Sequence, residues 1–178
     1  MKTYLGYYHA AVSSYWHHGG EGGGCVGTDL SNSSGLNGNV SNADAPGVNG
    51  TYTTQLFASE AVRLIHAHDV KRPFYMYLAF EAVHDTGGKS NTAGGVCGKQ
   101  ELQLQAPLSL VQQFAPKVTT DTYKIMTAMI ASLDQGVANI SAALQQKGMF
   151  DSTVFIVTGE RIDDGFAEFG SEADRSIW

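Results

Sequence analysis

Three side chains that can exchange protons or bind an anion follow directly after one apolar segment. Residues 74–80 read FYMYLAF without a polar break, and Glu81, His84 and Asp85 come next. A short apolar run opened by residues 71–73 (KRP) is typical of a strand that a parallel sheet buries on both faces. Because open parallel sheets bind ligands beyond the carboxyl ends of their strands, we predict that the chemistry lies at these three residues.

A second apolar run is predicted to reach the same edge of the sheet. Residues 119–147 carry one continuous apolar stripe at helical spacing, and Gly148 stands where a C′ glycine belongs. The β-branched segment 153–158 (TVFIVT) follows. Strand, long helix and strand form a βαβ unit with parallel strands, so Glu160 should lie at the same edge as His84. We therefore predict an α/β fold, with a mostly parallel sheet and flanking helices.

Two further helices are expected before the long one. Residues 52–68 have helical apolar spacing, and either Thr53 or Thr54 can cap the start. Residues 102–114 predict a short helix that is broken by Pro107.

The remaining segments lack a clear period. Residues 4–18 are dense in aromatic and imidazole groups, which either line a polar pocket or anchor a surface loop; the second interpretation is favoured in the absence of a strand pattern. Residues 19–50 are rich in Gly, Ser and Asn and predict a flexible loop with nothing to build a core from. Residues 161–178 are interpreted as a divergent, disordered tail.

Length and charge limit the class of protein. A chain of 178 residues can form one domain with a real core, and a formal charge of −6 argues against nucleic acid or an anionic membrane as a partner. No segment approaches the roughly 20 apolar residues that cross a bilayer. Residues 1–8 are too short and polar for a secretory signal.

Cysteine and sequon positions leave alternatives open. Cys25 and Cys97 allow one disulfide, and neither has the ligand spacing of a structural zinc site. Asn-x-Ser/Thr sequons occur at Asn32, Asn39, Asn49 and Asn139. They indicate either glycosylation on a secretory route or a composition that generates sequons by chance.

Several segments, taken together in chain order, resemble the sulfatase family. They are GYYH with YWHH in 6–18, YTTQLF opening 52–65, KRPFYMYLAFEAVH at 71–84, the helix 123–148 and DSTVFIVT at 151–158. The third segment is similar to the family pattern K-P-F-F-L-Y-L-A-x-x-A-V-H. The likeness is closest to arylsulfatases of the N-acetylgalactosamine-4-sulfatase (arylsulfatase B) type, and it covers about residues 5–18 and 50–158.

The resemblance implies an alkaline-phosphatase-like fold and the hydrolysis of sulfuric esters in sulfated sugars or aryl sulfates. In the family, a formylglycine made from the cysteine of C-x-P-x-R is the nucleophile, beside a calcium ion. The histidine of the A-V-H segment contacts the sulfate, and this catalytic and substrate-binding role passes to His84. An imidazole is suited to it, because it can donate to an anionic ester near neutral pH. The alternative is a histidine that only caps a strand end.

This chain departs from the family pattern at the nucleophile and at the metal site. Neither cysteine begins C-x-P-x-R, so the resemblance supplies no nucleophile. Where the family has Asp-Asn-Gly for calcium, residues 159–161 read GER, which leaves Glu160 as the candidate metal ligand. Residues 163–165 (DDG) are interpreted as a surface turn. Calcium takes about six to eight oxygen ligands, more than this pattern offers.

We therefore expect an incomplete sulfatase catalytic domain, inactive alone, with a secreted or lysosome-like location implied by the resemblance. The alternative is a pseudoenzyme or carbohydrate-binding module in which the aromatic residues 4–18 stack on sugars. A related phosphoesterase ranks last.

Overall fold

The computed structural model describes residues 3–7, 15–16, 18, 30–34, 48, 50–84, 104–118 and 120–159. Its elements are β1 (Thr3–Tyr7), β2 (Leu30–Ser34), α1 (Thr53–Ala67), α2 (Leu108–Phe114) and α3 (Asp121–Gln146), with short 3-10 turns at Ala115–Lys117 and Phe150–Ser152. No helix in this described part is long and apolar enough to cross a membrane.

The core lies between α1 and α3, whose apolar faces pack together. Its buried residues are Ala61, Ile65, Ile140, Ala143, Leu144 and Met149. The two helices approach closely at Gly136, where an added Cβ would lie 3.2 Å from the Cβ of Ala58. The helical periods of 52–68 and 119–147 predicted both elements, and the structure confirms them within two residues at each end.

The C-terminus of α3 closes as a Schellman motif around Gly148. Gly148 has a φ of 68°, and its N–H donates to the Gln145 carbonyl at 3.0 Å. The Met149 N–H donates to the Leu144 carbonyl at 2.9 Å, which completes the motif. A positive φ favours glycine, and the predicted C′ position of Gly148 is confirmed.

The predicted capping of α1 by a threonine hydroxyl is wrong. Tyr52 is the N-cap and Thr53 is the first helical residue, with no side-chain capping bond. The Thr53 hydroxyl instead donates to the Tyr15 carbonyl at 2.9 Å, which also accepts the Thr53 N–H. The hydroxyl therefore attaches the start of α1 to the N-terminal segment.

A two-stranded antiparallel sheet forms where the sequence predicted no strand. β1 pairs with β2 in the register Thr3 with Ser34 and Tyr7 with Leu30. Leu30 is almost fully buried, so the loop predicted for residues 19–50 does carry a core residue within 30–34. The pairing uses backbone groups, and the sequence LSNSS has too little strand propensity to reveal it.

The segment 74–80 is covered on one face, not on two as predicted. Phe74, Met76, Leu78 and Phe80 pack against the α1–α3 core. Between them, Tyr75 and Tyr77 are 88% and 82% exposed. This period of two fits an extended backbone, but the described residues show no sheet pairing here or in 153–159. The predicted parallel sheet is therefore not shown.

Candidate functional site

The candidate site is a turn, residues 81–84, at the end of the core-anchored segment. The Phe80 side chain packs on the core, and its ring lies 3.5 Å from where a Cβ on Gly136 would be. Immediately afterwards, the His84 N–H donates to the Glu81 carbonyl at 2.7 Å. The apolar run thus fixes the position of the turn, and the hydrogen bond fixes its shape.

A buried tyrosine from a distant part of the chain holds this turn. The Tyr15 hydroxyl donates to the His84 carbonyl at 2.6 Å and lies 3.3 Å from the Glu81 carbonyl. The Tyr15 backbone N–H donates to Oε1 of Gln105 at 2.9 Å. Tyr15 is only 2% exposed, so it is a buried anchor. Its ring is therefore not available to stack on a sugar, whereas Trp16 is half-buried and Tyr4 is exposed.

An aromatic cluster packs against the turn. The Tyr52 ring is 6.0 Å from that of Tyr15 and 5.3 Å from that of Trp16, and Met129 of α3 completes the buried group. The Tyr52 hydroxyl donates to the Gln105 carbonyl at 2.7 Å. Burial raises the pKa of Tyr52 to about 12, so this hydroxyl is a neutral donor at any physiological pH.

Glu81 is the unusual titratable group of the turn. Burial raises its pKa to about 7, and the charge of His84 opposes this shift. Its Oε2 atom is inaccessible to solvent and has no hydrogen-bond partner among the described residues. A carboxyl in such surroundings favours its neutral form, because a buried charge without a partner is costly.

His84 is exposed, whereas Glu81 is half-buried and one of its carboxyl oxygens is shielded from solvent. Its side chain can therefore contact a ligand that arrives from solvent, while the Tyr15 hydroxyl holds its main chain. The structure thus brings together two of the three residues predicted at this site. Asp85 lies outside the described residues.

A second polar cluster surrounds His18, at the end of the aromatic and imidazole segment 4–18. The Tyr7 hydroxyl lies 2.6 Å from Nδ1 of His18 and 3.0 Å from Oγ1 of Thr53. His18 is fully buried, and its Nε2 lies 3.1 Å from the Val48 carbonyl. A carbonyl only accepts, so Nε2 carries a proton here. These contacts connect β1 to the start of α1, and they support the fold around Tyr15 rather than a ligand.

Most of the other predicted site residues are not described. Glu160, Cys25, Cys97, Asn39 and Asn49 lie outside the described residues. Within the part of the chain that is described, no three His, Cys, Asp or Glu side chains cluster as metal ligands would. The described residues therefore do not assemble a calcium site.

Two of the sequon asparagines are described. Asn32 is exposed on β2, and Asn139 is exposed on α3.

The two histidines at the end of α1 show no sign of a site. His66 is exposed, and the His68 ring contacts that of Phe74 in a tilted arrangement, with ring centroids 4.9 Å apart.

Comparison with known protein families decides the membership of the chain. The family model described as Sulfatase matches residues 4–165, most of the chain. The chain belongs to the sulfatase family. The resemblance seen in the sequence is thereby confirmed at the family level, together with the α/β fold of the alkaline-phosphatase type that the family has. The described residues show three α-helices and one two-stranded sheet of it.

A curated relative extends this comparison. Arylsulfatase J of Mus musculus is 23% identical over 112 residues, which cover 63% of this chain and 16% of the mouse protein. The chain thus matches about a sixth of that sulfatase. At the family level, sulfatases hydrolyse sulfate esters and generally depend on a calcium or magnesium ion.

Proposed function

We propose that this chain is the central part of a sulfatase catalytic domain that acts on sulfuric esters, and that His84 contacts the sulfate group. The observation that carries the proposal is the exposed imidazole at the end of the sulfatase-like segment 71–84, whose main chain Tyr15 holds in place. The substrates we propose are sulfated sugars of the N-acetylgalactosamine-4-sulfate kind, or aryl sulfates, in keeping with the sequence likeness to arylsulfatase B.

The proposed role of His84 follows from the chemistry of sulfate esters. When the ester bond breaks, negative charge develops on the departing oxygen. An imidazole N–H within hydrogen-bond reach stabilises that charge and can deliver the proton. An exposed histidine on an immobilised main chain is suited to this role, because its backbone position is fixed before the ester binds.

Glu160 is the proposed calcium ligand, on the strength of the family pattern alone. One carboxylate supplies at most two of the about six to eight oxygen atoms that calcium takes. We also propose Asn32 and Asn139 as glycosylation sites, since both side chains face solvent.

The first test concerns turnover. Purified chain is incubated with a chromogenic aryl sulfate and calcium, and the expected result is no release of the chromophore. The reason is that the chain has no C-x-P-x-R cysteine, and oxyanion and metal stabilisation carry the largest part of such rates. Turnover that His84→Ala abolishes would overturn the expectation of inactivity.

The second test concerns the sulfate contact itself. N-acetylgalactosamine-4-sulfate is titrated into isotope-labelled chain, and the histidine ring and backbone amide resonances are followed by NMR. We expect the His84 signals to shift in a saturable way. His84→Ala should weaken binding about tenfold or more, as the loss of a charge-assisted hydrogen bond does. His66→Ala, an exposed histidine on α1, is the matched control and should bind as the unchanged chain does. Equal binding by the His84 and His66 variants would refute the proposed role.

A further inference from the structure

The proposed sulfate contact has a carboxyl directly beside it that the role of His84 does not use. Glu81 precedes His84 by three residues in the same hydrogen-bonded turn. Its Oε2 is shielded from solvent and without a hydrogen-bond partner in the described part of the chain. Buried polar atoms are nearly always paired, so an unpaired carboxyl oxygen next to an anion site calls for a functional explanation.

Among the described residues, His84 is the group whose charge acts on Glu81. Tyr52, at the start of α1, is a neutral phenol that donates to the Gln105 carbonyl. The hydroxyl of Tyr15 donates to the main chain of His84.

Among the described residues, the charged side chains of the neighbouring elements are engaged elsewhere or exposed. On α3, Asp121 and Lys124 pair with each other at 2.8 Å, and Asp134 faces solvent. After α2, Lys117 lies over the ring of Phe114. The protonation of Glu81 is therefore coupled to His84 and, through it, to any anion that His84 binds.

We propose that the Glu81 carboxyl sets the charge of the anion site and thereby makes sulfate binding at His84 depend on pH. In its neutral form, the carboxyl does not attract the imidazole, which can then bind the sulfate. In its ionised form, it attracts the imidazole and repels the sulfate. This inference rests on the proposed contact between His84 and sulfate.

The pH range of the effect follows from the buried position of Glu81. Because burial raises its pKa to about 7, the carboxyl is neutral in mildly acidic solution and ionised in mildly alkaline solution. A like charge in the same turn as the residue that contacts the anion is expected to weaken binding by about tenfold, roughly 1.4 kcal/mol. Sulfate should therefore bind more tightly below neutral pH.

The experiment compares the full chain with its Glu81→Gln variant. Inorganic sulfate is titrated into each at pH 6 and at pH 8, with the ionic strength held constant, and Kd is read from the His84 ring shifts. The two proteins should bind equally at pH 6, whereas the unchanged chain should bind about tenfold more weakly at pH 8. Glutamine cannot ionise, so the difference between the two proteins isolates the charge of Glu81 together with its effect on His84. Glu60→Gln, on the outer face of α1 and paired with Arg63, is the control and should keep the pH dependence of the unchanged chain.

A second measurement keeps the inference testable if the variant does not fold. The carboxyl carbon of Glu81 in the unchanged chain is titrated by ¹³C NMR, and its midpoint should coincide with the midpoint of the change in sulfate affinity. Equal affinities of the unchanged chain and Glu81→Gln at pH 8 would overturn the inference and leave the sulfate contact standing, as would an affinity that does not change across the Glu81 titration. Absence of any sulfate-dependent His84 shift at pH 6 would overturn the proposed function, and the inference with it.

Discussion

The shielded carboxyl of Glu81 makes two properties depend on pH, namely the charge of the site and the stability of the fold. Its pKa is about 7 in the folded chain and near the ordinary 4.5 when unfolded. Between these values the folded state binds more protons than the unfolded state, so the free energy of unfolding falls as pH rises. Above about pH 7 the full cost of the buried charge is present.

Glu81→Gln should therefore stabilise the chain in alkaline solution. A shift of this size corresponds to at most about 3 kcal/mol. Urea unfolding at pH 8 should show the variant to be more stable by a large part of that amount, and at pH 4 the two proteins should unfold alike. Glu60→Gln should show no such gain. Equal stability of the unchanged chain and Glu81→Gln at pH 8 would contradict the burial of this carboxyl.

Residue-level inference from sequence reached this site only in part. The apolar run 74–80 pointed to Glu81 and His84, because a chain leaving a buried segment must place its next polar groups at an edge. Nothing local pointed to the contact of Tyr15 with Glu81 or to that of Gln105 with Tyr15. The partners in each contact are 66 or more residues apart in sequence, and only the folded chain brings them together. The sequence also could not distinguish the half-buried Glu81 from the exposed His84, since the depth of each depends on these distant contacts.

At the level of elements, the helices were predictable and the strands were not. A helix repeats every 3.6 residues, so the apolar residues of one face recur at a regular spacing within one short stretch of sequence, as in α1 and α3. The β1–β2 pair joins residues 23 or more positions apart, and its partners are chosen by the fold. The apolar run 74–80 likewise reads the same whether one face or both are covered. What covers it is decided by other parts of the chain.

The packing of α1 against α3 depends on the absence of a side chain at Gly136. An added Cβ would lie 3.2 Å from the Ala58 Cβ and 3.5 Å from the Phe80 ring. Gly136→Val adds two further methyl groups, so the helices must separate, and we expect a loss of about 1–3 kcal/mol in the free energy of unfolding. Because Phe80 leads into the turn 81–84, the His84 resonances should shift as well.

The adjacent residue provides the control for this substitution. Gln135 is exposed on the same helix, and Gln135→Val carries the same β-branched side chain without meeting α1. It should cost only about 0.5 kcal/mol, the difference in helix propensity. Both variants are compared by urea unfolding. Equal losses for the two would show that the helices do not approach closely at Gly136.

For the whole molecule, the distribution of exposed apolar side chains is the dominant feature. Tyr75 and Tyr77 project outward from one segment, and Val154, Ile156 and Val157 project from another. In the described part of the chain these segments have no sheet partner. Exposed apolar faces of this kind promote association, because covering one aliphatic or aromatic side chain contributes about 1.5–3 kcal/mol.

We therefore expect the isolated chain to self-associate as its concentration rises. Sedimentation velocity and light scattering should show species larger than the 19.0 kDa monomer. Tyr77→Lys combined with Ile156→Lys should shift the distribution toward monomer, since each lysine places a charge where association would bury it. Leu108→Lys, which changes an exposed leucine at the start of α2, is the control and should leave association unchanged. A chain that stays monomeric over the whole concentration range would show that these two faces do not attract each other. Equal effects of the control and the double variant would assign the association to net charge instead.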